Sequence, residues 1–321
     1  MNARIAGLAS YVPEEKITNA DLAKIVDTND EWIVTRSGIH ERRKTASDEF
    51  VSHLAIKAAE RLFADLNYDP TDVQYCIACT ITGDYGFPSV ATLVQNRFKF
   101  VGAGAIDLGA GCAGFVYGLD IADALIASGR AKRVLLVAGE TLTKIANYSD
   151  RTTCVLFGDG AGAVLVEAVD APSMIRARRV GSDGSGGHFL FQTGLRKDIN
   201  GKTFEDAFLH QDGRDVYRWA VERVSSGVME LLEQAHLSAD EIDWFVPHSA
   251  NLRIIESVCK RTGIPLERTL TSLEYYGNTS SATIPLALDP AIADGRVKRG
   301  QNVLVYGFGA GLVDAAMILR F

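Results

Sequence analysis

Three residues of this chain combine a reactive side chain with a setting that could use it: a cysteine, a histidine and an asparagine. Cys112 lies in Gly109-Ala110-Gly111-Cys112-Ala113-Gly114-Phe115, after the apolar run 103–108 and before 116–126, whose apolar residues recur at helical spacing. That places the thiol at a strand-to-helix turn, flanked by residues too small to cover it, where the backbone can bend sharply and a substrate can approach. The positive end of the following helix is expected to lower the thiol pKa and favour thiolate, the nucleophilic form. A buried structural cysteine is the alternative. His248 sits in Phe245-Val246-Pro247-His248-Ser249-Ala250-Asn251, at the predicted end of a strand and the entry to a helix over 252–261. Strand C-termini are where α/β sheets present functional groups. The other histidines (His40, His53, His188, His210, His236) have no such setting. Asn278 belongs to Glu274-Tyr275-Tyr276-Gly277-Asn278-Thr279-Ser280-Ser281, a small polar turn before an apolar helix over 282–288.

The elements that must carry these residues can be read in outline. Strands are predicted over 5–11, 73–80, 103–108 and 134–139, the last two buried. Thr18-Asn19-Ala20-Asp21-Leu22 opens a capped helix, and longer helices are predicted over 52–66 and 91–98. Cys76 and Cys79 form a Cys-x-x-Cys pair, but strand alternation sends them to opposite faces, so the pair reads as structural. Gly158-Asp159-Gly160-Ala161-Gly162-Ala163 matches a dinucleotide fingerprint in form. The following Val164-Leu165-Val166 continues as strand where the fingerprint needs a helix, which rules out a nucleotide site there. Trp32 and Arg36, four apart, could clamp a nucleotide by stacking and phosphate pairing. A tryptophan packed on a domain edge beside solvated arginines is the plainer reading of those two alone.

The second half echoes the first. Residues 306–313 resemble 157–164, and 237–244 resemble 66–75 with two residues fewer. The order is kept, which predicts a duplicated α/β unit with halves 1–170 and 171–321, and puts Asn278 near the place that Cys112 holds in the first half. Between them, 181–213 is rich in Gly and Asp with weak periodicity, as expected of a long excursion over a site entrance.

Composition narrows the function classes. A chain of 321 residues predicts one or two domains, and 47% hydrophobic with 23% charged residues is ordinary for a soluble globular protein. A net charge of -7 argues against a general nucleic-acid binder. Five cysteines without framework spacing, and no apolar leader, predict a reducing compartment and a cytoplasmic location. No run is apolar enough to span a bilayer.

Taken together, Cys112, Pro247-His248-Ser249-Ala250-Asn251 and Tyr276-Gly277-Asn278-Thr279-Ser280-Ser281 resemble the β-ketoacyl-acyl-carrier-protein synthases III, the condensing enzymes that start bacterial fatty acid synthesis. The resemblance runs from Asp30-Glu31-Trp32-Ile33 to the Gly-rich C-terminal hairpin. It implies an α/β thiolase-like fold, two similar halves forming five alternating αβαβα layers, usually as a homodimer. It implies no cofactor, with an acyl-CoA and a malonyl-acyl carrier protein as substrates. In such an enzyme a thiolate takes the acyl group covalently. Decarboxylation of the malonyl thioester then yields an enolate that attacks the acyl-enzyme, with His248 and Asn278 as neutral donors to the thioester oxygen. By position, the resemblance assigns an oxyanion hole to the backbone N–H groups of Cys112 and Ala310. It assigns Trp32, Arg36 and Arg151 to the CoA clamp, and Tyr217 and Asn251 to the pantetheine tunnel. Phe87 would reach across a dimer to the partner's acyl pocket, and Phe308 would border the space beside Ala310. Arg253 and Lys260 would form the carrier-protein docking patch.

Two departures stand out. Gly309-Ala310-Gly311 replaces the three glycines usual in the family, and Leu312-Val313-Asp314-Ala315 is also unusual. The rival readings are weaker. A cysteine hydrolase with a nucleophile elbow would want its histidine late in the chain, after an acid. A degradative thiolase would need a second cysteine after Cys259, and there is none. An idle carrier-binding subunit would not need the Cys-His-Asn set, whereas a related condensing enzyme priming another pathway would.

Overall fold

Strand β1 (Asn2–Tyr11) is longer than the predicted 5–11, and its sheet is completed by β2 (Tyr75–Cys79), β3 (Gly104–Leu108), β4 (Arg133–Thr141) and β5 (Asp159–Val169). The computed structural model describes all 321 residues. The first sheet runs β1-β5-β4-β2-β3, with β4, β2 and β3 parallel and β5 antiparallel to both of its neighbours. A second sheet holds β6 (Ile175–Ser182), β7 (Trp244–Pro247), β8 (Asn302–Gly309) and β9 (Val313–Arg320) in the order β7-β8-β9-β6. Its β7 and β8 are parallel and the other pairs antiparallel. The two sheets match strand for strand, except that the partner of β3 in the second half is reduced to a single parallel bridge between Phe245 and Thr269.

Seven helices of eight or more residues cover these sheets. They are α1 (Asp30–Ser37), α2 (Val51–Leu66), α3 (Val90–Phe98), α4 (Gly114–Ala127), α5 (Gly213–Ala235), α6 (Leu252–Thr262) and α7 (Thr283–Ala293). The apolar helices α4 and α7 lie between the sheets, in one continuous core with Ile77, Leu136, Val303 and Val305. Helices α2 and α3 cover the outer face of the first sheet, through Leu54, Ala58, Leu62 and Val94. Helices α5 and α6 cover the outer face of the second, through Val224, Leu231, Ile255 and Val258. The result is the expected five-layer arrangement. Local chemistry fixes the helix ends: Asn29 caps α1, Ser89 caps α3, and Asn251 caps α6, each side chain accepting a backbone N–H. Asp107 on β3 adds its carboxylate to the first turn of α3, accepting from Val90 and Ala91 N–H at 2.8 Å each.

Three sequence expectations need correction. Strand β3 was expected to be buried, yet it is the edge of its sheet and Ile106 is 37% exposed. The first echo does not superpose: Gly160-Ala161-Gly162 lies inside β5, whereas Gly309-Ala310-Gly311 ends β8 and turns towards β9. Both stretches are small because neighbouring backbone or side chains press on them, not because they do the same job. The second echo is real but needs no gap. Asn67 and His236 both end a helix in the left-handed region, and Pro70–Asp72 and Ala239–Glu241 are matching single turns before β2 and β7. Cys76 and Cys79 do face opposite layers, one toward α2 and α3 and the other toward α4.

Candidate active site

Cys112 occupies the middle of the single turn Gly111–Ala113 that leads into α4. The chain enters that turn through Gly111 at φ +49°, a conformation that costs glycine little. The end of β8 passes directly over the cysteine. A Cβ added at Gly309 would lie 2.9 Å from both Cβ and Sγ of Cys112, so bare backbone is required there. Cys112 is 8% exposed, and the Ser280 side chain and the Ala310 backbone lie near enough to its sulfur to favour the ionised form. Ala310 keeps a negative φ, so its methyl brings no backbone strain.

Burial nevertheless pushes the Cys112 thiol up to about 12, and the nearby Glu140 carboxylate adds to the rise. Burial therefore works against the expected thiolate. Two N–H dipoles and a hydroxyl favour the anion, but the cost of a charge removed from water outweighs them.

His248 follows β7 directly, its backbone N–H donating to Tyr306 O at 2.7 Å. The ring is fully buried, edge-on to Phe308 with centroids 5.2 Å apart, and burial holds its pKa down to about 3, so it is neutral. Nδ1 lies 2.8 Å from the Thr283 hydroxyl, which is itself 2.9 Å from Ser280 O. The single Thr283 proton serves one of these acceptors at a time. Turned to Nδ1, it leaves the ring proton on Nε2, where His248 can donate to a substrate oxygen. Turned to Ser280 O, it accepts from Nδ1–H and leaves Nε2 as a lone pair. The partner of His248 is a hydroxyl and no carboxylate pairs with the ring, so the acid of a Cys-His-acid hydrolase is missing.

Asn278 is buried and held by its backbone, donating to Leu156 O at 2.8 Å and accepting from Gly158 N–H at 3.1 Å. Its side-chain Oδ1 accepts from Ser280 N–H at 2.8 Å, which leaves the NH2 group as the free, donating end. Cys112, His248 and Asn278 all line one cavity of about 890 Å³, together with Phe308 and Ala310.

The remaining predicted residues divide by location. Trp32 and Arg36 line the mouth of this cavity, and the Arg36 and Arg151 guanidiniums lie 4.9 Å and 5.3 Å from the Trp32 ring centroid. Tyr217 lines the cavity and hydrogen-bonds Ser257 at 2.8 Å. Asn251 also lines it, but its amide works structurally, capping α6 and donating to Arg36 O at 2.9 Å. Phe87 is 90% exposed and lies outside the cavity. Arg253 and Lys260 are exposed, two turns apart on α6, and Arg253 reaches the cavity rim. The excursion over 181–213 does border the entrance, through Leu190, Phe191, Gln192, Leu209 and Gln211.

Sequence reasoning missed Glu140, Ser280, Thr283 and Arg214. Glu140 had a signal: it is an acid near the C-terminal end of a buried strand, the same kind of position that singled out His248. Arg214, in the first turn of α5, adds a further cation to the cavity rim and could have been found only from the fold.

Residues 106–184 match the family description 3-oxoacyl-[acyl-carrier-protein (ACP)] synthase III, and residues 232–321 match that of its C terminal part. The chain is 52% identical over 320 residues to β-ketoacyl-[acyl-carrier-protein] synthase III 2 of Halalkalibacterium halodurans, covering 99% of this chain and 96% of that one. It is 48% identical to the Bacillus subtilis protein of the same description, covering 99% and 98%. Among solved structures, a β-ketoacyl-[acyl carrier protein] synthase III of Thermus thermophilus superposes with a TM-score of 0.95 at 44% identity, over 99% of this chain and 98% of that one. With that identity sustained end to end, this chain belongs to the β-ketoacyl-[acyl-carrier-protein] synthase III family and is a condensing acyltransferase.

Proposed function

We propose that this protein condenses a short-chain acyl-CoA with malonyl-acyl carrier protein, releasing carbon dioxide and forming a β-ketoacyl-acyl carrier protein. The observation that carries this reading is the convergence of Cys112, His248 and Asn278 on one cavity, which Ala310 also lines. Cys112 takes the acyl group from CoA. The N–H groups of Cys112 and Ala310 hold the oxygen of the tetrahedral intermediates, for which fixed backbone dipoles are suited. His248, as its Nε2–H form, and the Asn278 amide hold the malonyl thioester oxygen while charge builds there. Neutral donors suit that step because neither must give up its proton.

The stacked Trp32, Arg36 and Arg151 supply an aromatic face and positive charge for the nucleotide end of CoA. The activated group arrives as a thioester, so the chemistry asks for no cofactor. Arg253 and Lys260 offer the acidic carrier protein a basic face. The edge strand β3, with Ile106 and Phe87 exposed, supports a homodimer closed along that edge. The change of sheet between β5 and β6 supports a division into halves 1–170 and 171–321. No helix is long and apolar enough to cross a membrane, and five unpaired cysteines favour the reducing cytoplasm.

Intact-protein mass after mixing with acyl-CoA, without malonyl-carrier, tests the reading. One acyl mass per chain is expected, and Cys112→Ala should abolish it. An adduct that survives in that variant would overturn the assignment. A panel of acyl-CoAs in the same measurement identifies the primer.

A further inference from the structure

The side chains of His248 and Asn278 take their orientation from one residue, Ser280. The backbone of each is fixed by other neighbours, His248 N–H on Tyr306 O and Asn278 between Leu156 O and Gly158 N–H. Their donating ends are not. The Asn278 amide is turned by Ser280 N–H, which donates to its Oδ1 at 2.8 Å. The His248 ring is turned by the Thr283 hydroxyl, 2.8 Å from Nδ1, and that hydroxyl also lies 2.9 Å from Ser280 O. The N–H and C=O of residue 280 thus serve both donors.

Ser280 itself sits in the left-handed region, at φ +50°. A residue other than glycine persists there only where its surroundings over-determine it. Here that support comes from the other half of the chain. Ser280 Oγ donates to Glu140 Oε1 at 3.2 Å, and Ser281 Oγ donates to the same oxygen at 3.3 Å. Glu140 ends the buried run of β4 and is fully buried. Its Oε2 is fixed in turn, accepting from Thr80 Oγ1 at 3.1 Å, Ile81 N–H at 3.1 Å and Thr82 Oγ1 at 2.6 Å. One carboxylate therefore joins the turn at 80–82 in the first half to the turn at 280–281 in the second. All these donors are neutral, so the charge is costly to bury. Joining the halves does not by itself call for it, because an apolar side chain would pack there at less cost.

We propose that Glu140 is a positioning residue for the decarboxylation step: it fixes Ser280, which aims the Asn278 amide and, through Thr283, the His248 ring at the malonyl thioester oxygen. The inference rests on the role given above to His248 and Asn278. Glu140 hydrogen-bonds neither of them and acts only through the turn it holds. Two donors must stand within hydrogen-bond range of one developing charge, and that geometry is exacting. Without the carboxylate, residue 280 is free to rotate, and both donors turn with it. Cys112 is carried separately, by its own turn Gly111–Ala113 under Gly309, so acyl transfer depends less on this anchor.

The test separates the two half-reactions. Acylation by acetyl-CoA is timed by rapid quench and intact mass. Enzyme already acylated and freed of acetyl-CoA is then mixed with malonyl-carrier, and carbon dioxide release is followed over a single turnover. Glu140→Gln should slow that release about a hundred-fold, the scale of a 1 Å misplacement, and slow acylation by less than about ten-fold. Ser280→Gly removes the hydroxyl at a φ that suits glycine, should show the same split, and carries the test if Glu140→Gln fails to fold. The double variant should be no slower than the slower single one, because both changes break the same bond. Retained release in His248→Ala and Asn278→Ala would overturn the role given to those donors, and the inference with it. If they lose release but Glu140→Gln and Ser280→Gly keep the wild-type rate, the positioning role alone is wrong. Equal losses in both half-reactions would reduce Glu140 to a structural bridge between the halves and overturn it too. Losses that multiply in the double variant would show that Glu140 does not act through Ser280.

Discussion

Ser281 occupies in the second half the position that Cys112 occupies in the first. Each is the middle residue of a single turn, Gly111–Ala113 or Ser280–Ala282, that feeds a helix of the central layer. The preceding residues, Gly111 and Ser280, share a left-handed φ of +49° and +50°. One backbone shape has thus been kept in both halves while its side chains diverged. The first presents a nucleophile and the second presents hydroxyls to Glu140 and, through Ser281, to Cys79 O at 2.9 Å. A non-glycine residue in that region is uncommon, which makes the retained serine hydroxyl at 280 informative. Asn278 precedes this turn by two residues and is not the counterpart of Cys112.

His248 and Asn278 are held by contacts that do not include the cysteine. His248→Ala and Asn278→Ala should therefore still acylate Cys112 while losing decarboxylation of malonyl-carrier about a hundred-fold or more. Single-turnover acylation and carbon dioxide release separate the two steps. Acylation that fell with decarboxylation would show that these residues also act on the thiol.

Gly309 leaves no room for a side chain against Cys112. Gly309→Ala should destabilise the fold by about 1–3 kcal/mol through overpacking, and slow acylation further by moving the backbone beside the sulfur. Thermal melts and acylation rates measure both. In contrast, Ala310 has a negative φ, so Ala310→Gly relieves nothing and should alter acyl preference more than maximal rate. A gain of about a hundred-fold with every primer would mean that the native oxyanion hole is misaligned.

Arg253 and Lys260 share a face of α6 on a chain of net charge -7. Arg253→Glu or Lys260→Glu should raise KM for malonyl-carrier and leave acyl-CoA acylation within a few-fold. The effect should fade with added salt, because the screening length is about 8 Å at physiological ionic strength. Equal losses for both substrates would mean that the patch is only a solvated face.

Glu140 and His248 should oppose each other in the pH dependence of stability. Glu140 is raised to about 7 in the fold, so it contributes stability that is fully present below the unfolded value of about 4.3 and is lost as pH rises to about 7. His248 is lowered to about 3, so its contribution is present above about 6.5 and is lost as pH falls toward 3. Between about pH 4.3 and 6.5 the two slopes have opposite sign and offset each other. Glu140→Gln should therefore melt at progressively lower temperature, relative to wild type, as pH is brought down from 7 to 5. A constant difference in Tm across that range would contradict the burial-driven shift of Glu140.

The sequence by itself determined what depends on neighbouring residues. Small residues around Cys112 specify a turn that exposes a thiol, and Pro247-His248 stops a strand with an imidazole at its end. Asn29, Ser89 and Asn251 announce helix starts, because capping involves groups only a few bonds apart. Only the tertiary structure decided what depends on segments distant in the chain. It brings Glu140 from the first half to Ser280 of the second, and lays Arg151 beside Arg36 on Trp32. It leaves β3 at an edge, although its apolar run reads as buried. It also sets burial against the expected state of Cys112. The helix end that favours thiolate is written locally, but the burial that opposes it comes from packing, which lays Gly309 of the second half directly against the sulfur.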